Sequence, residues 1–171
     1  MKSVNFEFLR PVNGLLANLA GLAEGVLHVD PGSALTRLRS FAEELTKTIY
    51  SEERLPRLPQ STFYDLVKSP VFTACASSSL VHQINFLRIQ GNETAHGGEG
   101  DVRTARSALK TAHELAKYMA VKYYGLVHSD LPAFVEVKDP TTALNALQKS
   151  VASYEKDLAQ QQAELQRVLE Q

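Results

Sequence analysis

Asp101-Val102-Arg103-Thr104-Ala105-Arg106-Ser107-Ala108-Leu109-Lys110-Thr111-Ala112-His113-Glu114-Leu115-Ala116-Lys117-Tyr118-Met119-Ala120-Val121-Lys122-Tyr123-Tyr124-Gly125 is the stretch that decides the fold class. Val102, Ala105, Leu109, Ala112, Leu115, Ala116, Met119 and Tyr123 recur mostly at spacings of three and four, the period at which side chains share one face of an α-helix. Asp101 is placed to accept from the free amides of the first turn, and Gly125 is a stop signal. A helix with so continuous an apolar stripe buries it against other helices.

Upstream the same period returns. Leu80, Ile84 and Leu87 mark a helix ending near the glycine-rich His96-Gly97-Gly98-Glu99-Gly100. Leu35, Leu38, Phe41, Leu45 and Ile49 are the inward row of another, opened by Asp30 as cap and Pro31 at the first helical position. Before it, Leu15, Leu19, Leu22 and Val26 trace a helix with Pro11 in its first turn, and these two are expected to pack as a hairpin. From Ser51 to Gln60 prolines and charges break the pattern, and Phe63, Leu66 and Val67 predict only a short helix before Pro70.

Downstream, Leu131-Pro132-Ala133-Phe134-Val135-Glu136-Val137-Lys138-Asp139-Pro140 alternates apolar and charged residues between prolines, as an extended strap across the bundle does. Beyond it Leu144, Val151, Leu158 and Leu165 fall every seven residues, with Leu147, Tyr154, Gln161 and Val168 interleaved, and only Gln161 breaks the heptad seam. A helix of about 30 residues extends roughly 45 Å. It reaches the last residue without a stop signal, as in a cut chain. The pattern suits both a helix that folds back onto the bundle and one that self-associates. The expected architecture is all-α: a helical bundle over 1–129, a strap over 130–140 and a coiled-coil-like helix over 141–171.

Composition sets the outer bounds. With 171 residues, 44% hydrophobic and 22% charged, the chain suits one ordinary domain rather than disorder or a disulfide-stapled miniprotein. Eighteen Lys and Arg against nineteen Asp and Glu exclude a protein that coats DNA through overall positive charge, so any nucleic-acid contact is local. Cys75 is alone, the opening Met1-Lys2-Ser3-Val4-Asn5-Phe6 lacks the apolar run of a signal peptide, and no apolar run approaches membrane length. The expected compartment is a reducing cytoplasm, without membrane contact.

Most catalytic chemistry is missing. Gly97-Gly98-Glu99-Gly100 is followed by Asp101 and Val102 rather than a lysine, so there is no phosphate-cradling loop. His28, His82, His96, His113 and His128 are scattered singly, outside any metal-ligand spacing. No metal, no cofactor and no catalytic residue is therefore expected in this stretch. Glu136-Val137-Lys138 has the Glu-x-Lys form used by Mg²⁺-dependent nucleases, but the sheet and upstream Asp such a site needs are absent from the pattern, leaving charges on a strap.

Two constellations remain. Arg88, Asn92 and His96, four residues apart, share a face if the helix runs through them, where guanidinium, amide and imidazole can hold a phosphate. The simpler reading has Gly91 admit the following helix while Asn92 and His96 satisfy backbone groups at the helix end. On the strong helix Arg103, Arg106, Lys110, His113 and Lys117 form a basic face, and five Lys and Arg against two acids between Asp101 and Tyr124 give +3 locally. That face suits DNA phosphates or an acidic partner, and equally a solvated surface.

Ser3-Val4-Asn5-Phe6-Glu7-Phe8-Leu9, the run Asp30 to Glu43, Leu87-Arg88-Ile89-Gln90-Gly91-Asn92-Glu93-Thr94-Ala95-His96, the tyrosine-rich end Tyr118 to Tyr124, the Leu131-Pro132-Ala133-Phe134-Val135 strap and the glutamine-rich last helix together resemble the N-terminal region of the R subunit of type I restriction-modification enzymes. The resemblance covers most of the chain. It implies a fragment of an ATP-dependent DNA translocase and nuclease that works with methylation and specificity subunits. The ATP and Mg²⁺ sites of that family lie beyond the matched region, which implies a non-catalytic docking or DNA-guiding module. The Gly-Asn-x-x-Ala-His element is also similar to that of HEPN helical domains, some of which cleave RNA with an Arg and a His. That implies an alternative, a ribonuclease or toxin-type domain using Arg88, Asn92 and His96. Here Gly91 stands at the usual Arg position, and seven residues separate Arg88 from His96.

Overall fold

The computed structural model describes residues 2–95 and 100–169, and among them every regular element is helical. The fold class is the all-α one that the periodicity predicts. The chain divides into two units, Met1–Glu136 and Val137–Gln171, so the break falls inside the strap segment 130–140.

The first unit contains α1 (Gly14–Val26), α2 (Pro31–Glu52), α3 (Phe63–Lys68), α4 (Pro70–Cys75), α5 (Ser78–Ala95) and α6 (Val102–Lys122), with 3₁₀ turns at Glu7–Leu9 and His128–Asp130. Helix α2 is central, packing most extensively on α5, then on α1 and α6. Its row Leu35, Leu38, Phe41, Leu45 and Ile49 is buried as the spacing predicts. The Asp30 carboxylate accepts from the Ser33 amide at 2.9 Å, and the Asp101 carboxylate from the Thr104 amide at 2.9 Å, so both long helices start where their caps put them. Along α6, Ala105, Leu109, Ala112, Leu115, Ala116 and Met119 are buried.

Close approach is set by glycine at two places. A methyl group on Gly91 would lie 2.3 Å from Arg39 Cβ and 2.8 Å from the Leu35 carbonyl oxygen. The helix admitted there is therefore α2, not the following helix. Leu35 and Arg39 stand one turn apart on α2 and leave a notch that only a residue without Cβ can enter. At Gly100 a methyl would lie 2.7 Å from the Gly32 nitrogen, so the segment leading into α6 rests on the start of α2.

Two local expectations need correction. The buried face of α1 is Leu16, Ala17, Ala20 and Ala23, whereas Leu15 and Leu22 are 54% and 51% exposed. Leu15, Leu19, Leu22 and Val26 do cluster within roughly 60° on one side of α1, yet that side does not set its phase. The alanine row does, because it lets α2 approach closely. The same face carries Glu24, whose buried carboxylate accepts from the Val4 amide at 2.7 Å, the Asn5 amide at 3.0 Å and the Ser3 hydroxyl at 3.1 Å. Pro11 lies in the turn before α1, which is capped instead by Asn13 accepting from the Leu16 amide at 3.0 Å. The short helix expected before Pro70 is α3, and Pro70 opens one more, α4: Ser69, at φ −59° and ψ 133°, ends α3 and begins α4 because a residue before proline is driven out of the helical region. Phe72 of α4 then stacks on Tyr50, ring centres 5.5 Å apart.

The segment 132–139 has no regular structure. Val135 is held through its main chain by the Asn5 side chain, the amide nitrogen donating to Asn5 Oδ1 at 2.7 Å and the carbonyl accepting from Asn5 Nδ2 at 2.9 Å. One amide side chain thereby supplies the pair of bonds that a neighbouring strand would give.

The second unit is α7 (Pro140–Leu169) with its leading residues. Asp139 Oδ1 accepts from the Thr141 amide at 2.8 Å and its hydroxyl at 2.6 Å, capping a helix with proline at its first position. The seam residues Leu144, Leu147, Val151, Tyr154 and Leu158 are exposed.

Candidate functional site

Helix α6 presents two faces. Arg103, Arg106 and Lys110 are exposed and Lys117 is half-buried, on the side of α6 away from its alanine and leucine row. His113 leaves the basic face assigned to it: the side chain is fully buried. At about 100° per residue it falls roughly 20° from Ala120, at the border of the buried row, and the aromatic residues beside it extend the core around it. Its ring lies 5.9 Å from those of Phe6 and Phe8 and 5.5 Å from Phe134, all edge-on. Neither ring nitrogen has a hydrogen-bond partner among the described residues, since Glu114 Oε1 is 3.9 Å from Nδ1. Burial holds this imidazole below the ordinary histidine range, against the pull of the Glu114 carboxylate.

The local +3 is reduced by the fold. Arg106 Nε lies 3.4 Å from Glu136 Oε2 on the strap. Lys122 Nζ is 2.7 Å from Glu53 Oε1, which also accepts from the Tyr123 hydroxyl at 2.8 Å. The lysine hydrogen bond, with that of the tyrosine, holds the Glu53 carboxyl below its usual range, and Glu53 in turn raises Lys122. Lys122 and Tyr123 thereby tie the last turn of α6 to the residue that follows α2, and Arg106 ties the beginning of α6 to the strap. Arg103, Lys110 and Lys117 remain without ion-pair partners among the described residues, with exposed Glu114 between them subtracting one charge.

The polar cluster does not assemble as one site among the described residues. Asn92 Oδ1 accepts from Arg39 Nε at 2.6 Å, and Arg39 also reaches Glu43 at 3.1 Å, so Asn92 joins α5 to α2 instead of satisfying a helix end. Arg88 Nε donates to Asn85 Oδ1 at 3.1 Å, and its guanidinium sits 5.1 Å from the centre of the Tyr64 ring. His96 lies outside the described residues. Arg88 instead lines an open groove of about 670 Å³ with Lys68, His82, Phe86, Ile89, Ser107 and Thr111. Sequence reasoning missed this groove. The part on α5 was legible, because His82, Phe86 and Ile89 follow at helical spacing, but Lys68 comes from α3 and Ser107 and Thr111 from α6.

Glu136 and Lys138, the nuclease-like pair, stand on a segment without regular structure, and Glu136 is engaged with Arg106. Among the described residues no three His, Cys, Asp or Glu side chains converge as metal ligands, and no helix is long and apolar enough to cross a membrane. Cys75 is a free thiol.

No family model and no solved structure matches the chain. Over 165 residues, 94% of its length, the chain is 29% identical to the type I restriction enzyme EcoKI endonuclease subunit of Escherichia coli (strain K12). It spans only 13% of that subunit. A match running through nearly every element described above supports a relationship to the R subunit of type I restriction enzymes.

Proposed function

We propose that this chain is a docking or DNA-guiding module of a type I restriction enzyme R subunit, itself non-catalytic and without cofactor, working in the cytoplasm. ATP-driven translocation and Mg²⁺-dependent cleavage belong to the rest of the parent protein, and methylation and specificity subunits are its partners. The likeness to the endonuclease subunit supports the restriction-enzyme part of this reading. The observation that carries the module part is the outward side of α6, where Arg103, Lys110 and Lys117 keep their charge in a chain whose net charge is −1. Exposed cations facing solvent along one helix side are the arrangement that duplex phosphates meet.

The test is a titration of a fluorescent duplex of about 30 base pairs at several salt concentrations between roughly 50 and 200 mM. Changing Arg103, Lys110 and Lys117 together to Gln is expected to leave the fold intact. It is expected to lower the slope of log affinity against log salt by about 0.9 for each phosphate that the variant no longer neutralises. An unchanged slope and affinity would sink the DNA-guiding reading of this face.

A further inference from the structure

We propose that the groove between α5 and α6 receives an acidic amphipathic helix from a partner protein. None of the outward cations of α6 lines this groove, and the inference does not depend on DNA binding there.

The floor is apolar. Phe86 is half-buried and Ile89 is 43% exposed, so an apolar patch faces solvent between two helices. His82, Phe86 and Ile89 stand four and three residues apart on α5, the spacing at which a docked helix offers its own anchors at i, i+4 and i+7. Ser107 and Thr111, one turn apart on α6, form the opposite wall. Small side chains there leave the width that lets a third helix settle against the pair.

The rim decides the partner's charge. Lys68 and Arg88 are cations, His82 adds an imidazole, and no carboxylate lines the groove among the described residues. Neither cation has an ion-pair partner among those residues. Arg88 is held in place by its bond to Asn85 and by the Tyr64 ring, while its two terminal nitrogens have no partner among the described residues. A guanidinium fork fixed in advance loses little side-chain freedom on meeting a carboxylate, which is how preorganisation adds affinity. The lining offers less to a nucleic-acid strand. Bases need open ring faces to stack on, whereas Phe86 is half-buried and Ile89 is aliphatic.

The probe is a fluorescein-labelled helical peptide of about four turns, with Leu at i, i+4 and i+7 and Glu on both flanks. Its control is a twin with Lys in place of Glu. Anisotropy titration of the whole chain is expected to show the Glu helix binding at least tenfold tighter than the Lys helix. Ile89→Glu is expected to weaken the Glu helix roughly tenfold, as removal of a central anchor does, and Lys68→Gln with Arg88→Gln to do the same. The triple Gln variant of Arg103, Lys110 and Lys117 is expected to leave peptide affinity unchanged, which separates this result from the duplex titration. Circular dichroism checks that Ile89→Glu folds, and Ile89→Ser replaces it if it does not. Three results would each overturn the proposal: equal binding of the two peptides, indifference to the change at Ile89, or displacement of the Glu helix by a thymidine single strand whose binding depends on Arg88 and Ile89.

Discussion

Gly91→Ala tests the central packing of the bundle. In an exposed helix interior this change stabilises by about 1 kcal/mol, because alanine gives up less backbone freedom than glycine. Here the new methyl would stand 2.3 Å from Arg39 Cβ and 2.8 Å from the Leu35 carbonyl oxygen. Relieving both clashes to about 3.4 Å needs α2 and α5 to separate by roughly 1.1 Å, along the most extensive helix interface in the unit. Neither obstacle is the free end of a flexible side chain: one is a main-chain oxygen and the other is fixed to the α2 backbone. Overpacking of this kind costs typically 1 to 3 kcal/mol, and backbone obstruction puts it near the top of that range. Subtracting the propensity gain leaves a net loss of about 2 kcal/mol, or a fall in Tm of roughly 8 °C for a unit of this size. Urea unfolding followed by near-ultraviolet circular dichroism of the tyrosines reads the packed state. Gly14→Ala, where a methyl would meet nothing within 4 Å, is the control and is expected to be neutral or slightly stabilising. A Gly91→Ala protein as stable as the parent would refute the close approach of α2 and α5 at this position.

Glu24→Ala is expected to destabilise by about 2 to 4 kcal/mol in urea unfolding, since the Val4 and Asn5 amides lose their acceptor; a loss under about 1 kcal/mol would show that they find another. Because burial depresses the His113 pKa, the unfolded chain takes up the proton first as pH falls through the ordinary value of 6.5, so stability declines below that pH. His113→Phe is expected to flatten this decline in melts between about pH 5 and 8, and an unaltered decline would assign it to other groups. Asn92→Ala and Arg39→Ala are expected to be coupled in a double-mutant cycle by about 1 kcal/mol, and simple additivity would show that the 2.6 Å bond contributes nothing to stability.

Helix existence was legible in proportion to how sharply apolar residues were segregated. In α2 and α6 the large apolar residues occupy one face and the charged residues the other; α2 buries its expected row, and α6 buries its own except at the two ends, where Val102 and Tyr123 are half-buried. In α1 the same rule chose the wrong face: its leucine side stays largely exposed, and the deciding features are the alanine row and the three donors that Glu24 satisfies. Helix α4 was hidden by Pro70, which reads as a stop in a linear scan and acts as a first-turn residue in the structure.

The candidate residues divide along the same line. Arg103, Arg106, Lys110 and Lys117 share a helix side by period alone, and the structure keeps them there. His113 has the same spacing but is buried, because Phe6, Phe8 and Phe134 arrive from distant parts of the chain and carry the core around to it. Arg88 and Asn92 have helical spacing as well, yet their partners differ: Tyr64 stands beside the first and Arg39 beside the second.

By itself, then, the order of residues determined what depends on neighbours within about two turns: the all-α class, the Asp30 and Asp101 caps, the inward rows of α2 and α6, and the side of α6 that bears its cations. Only the tertiary structure decided which of those cations stay unneutralised, which helix enters the notch at Gly91, and that Lys68, His82 and Arg88 border one groove. The reason is that helical periodicity is a local property, carried by hydrogen bonds four residues apart, whereas pairing of charges and closure of grooves require residues far apart in the chain to meet at distances of a few ångströms.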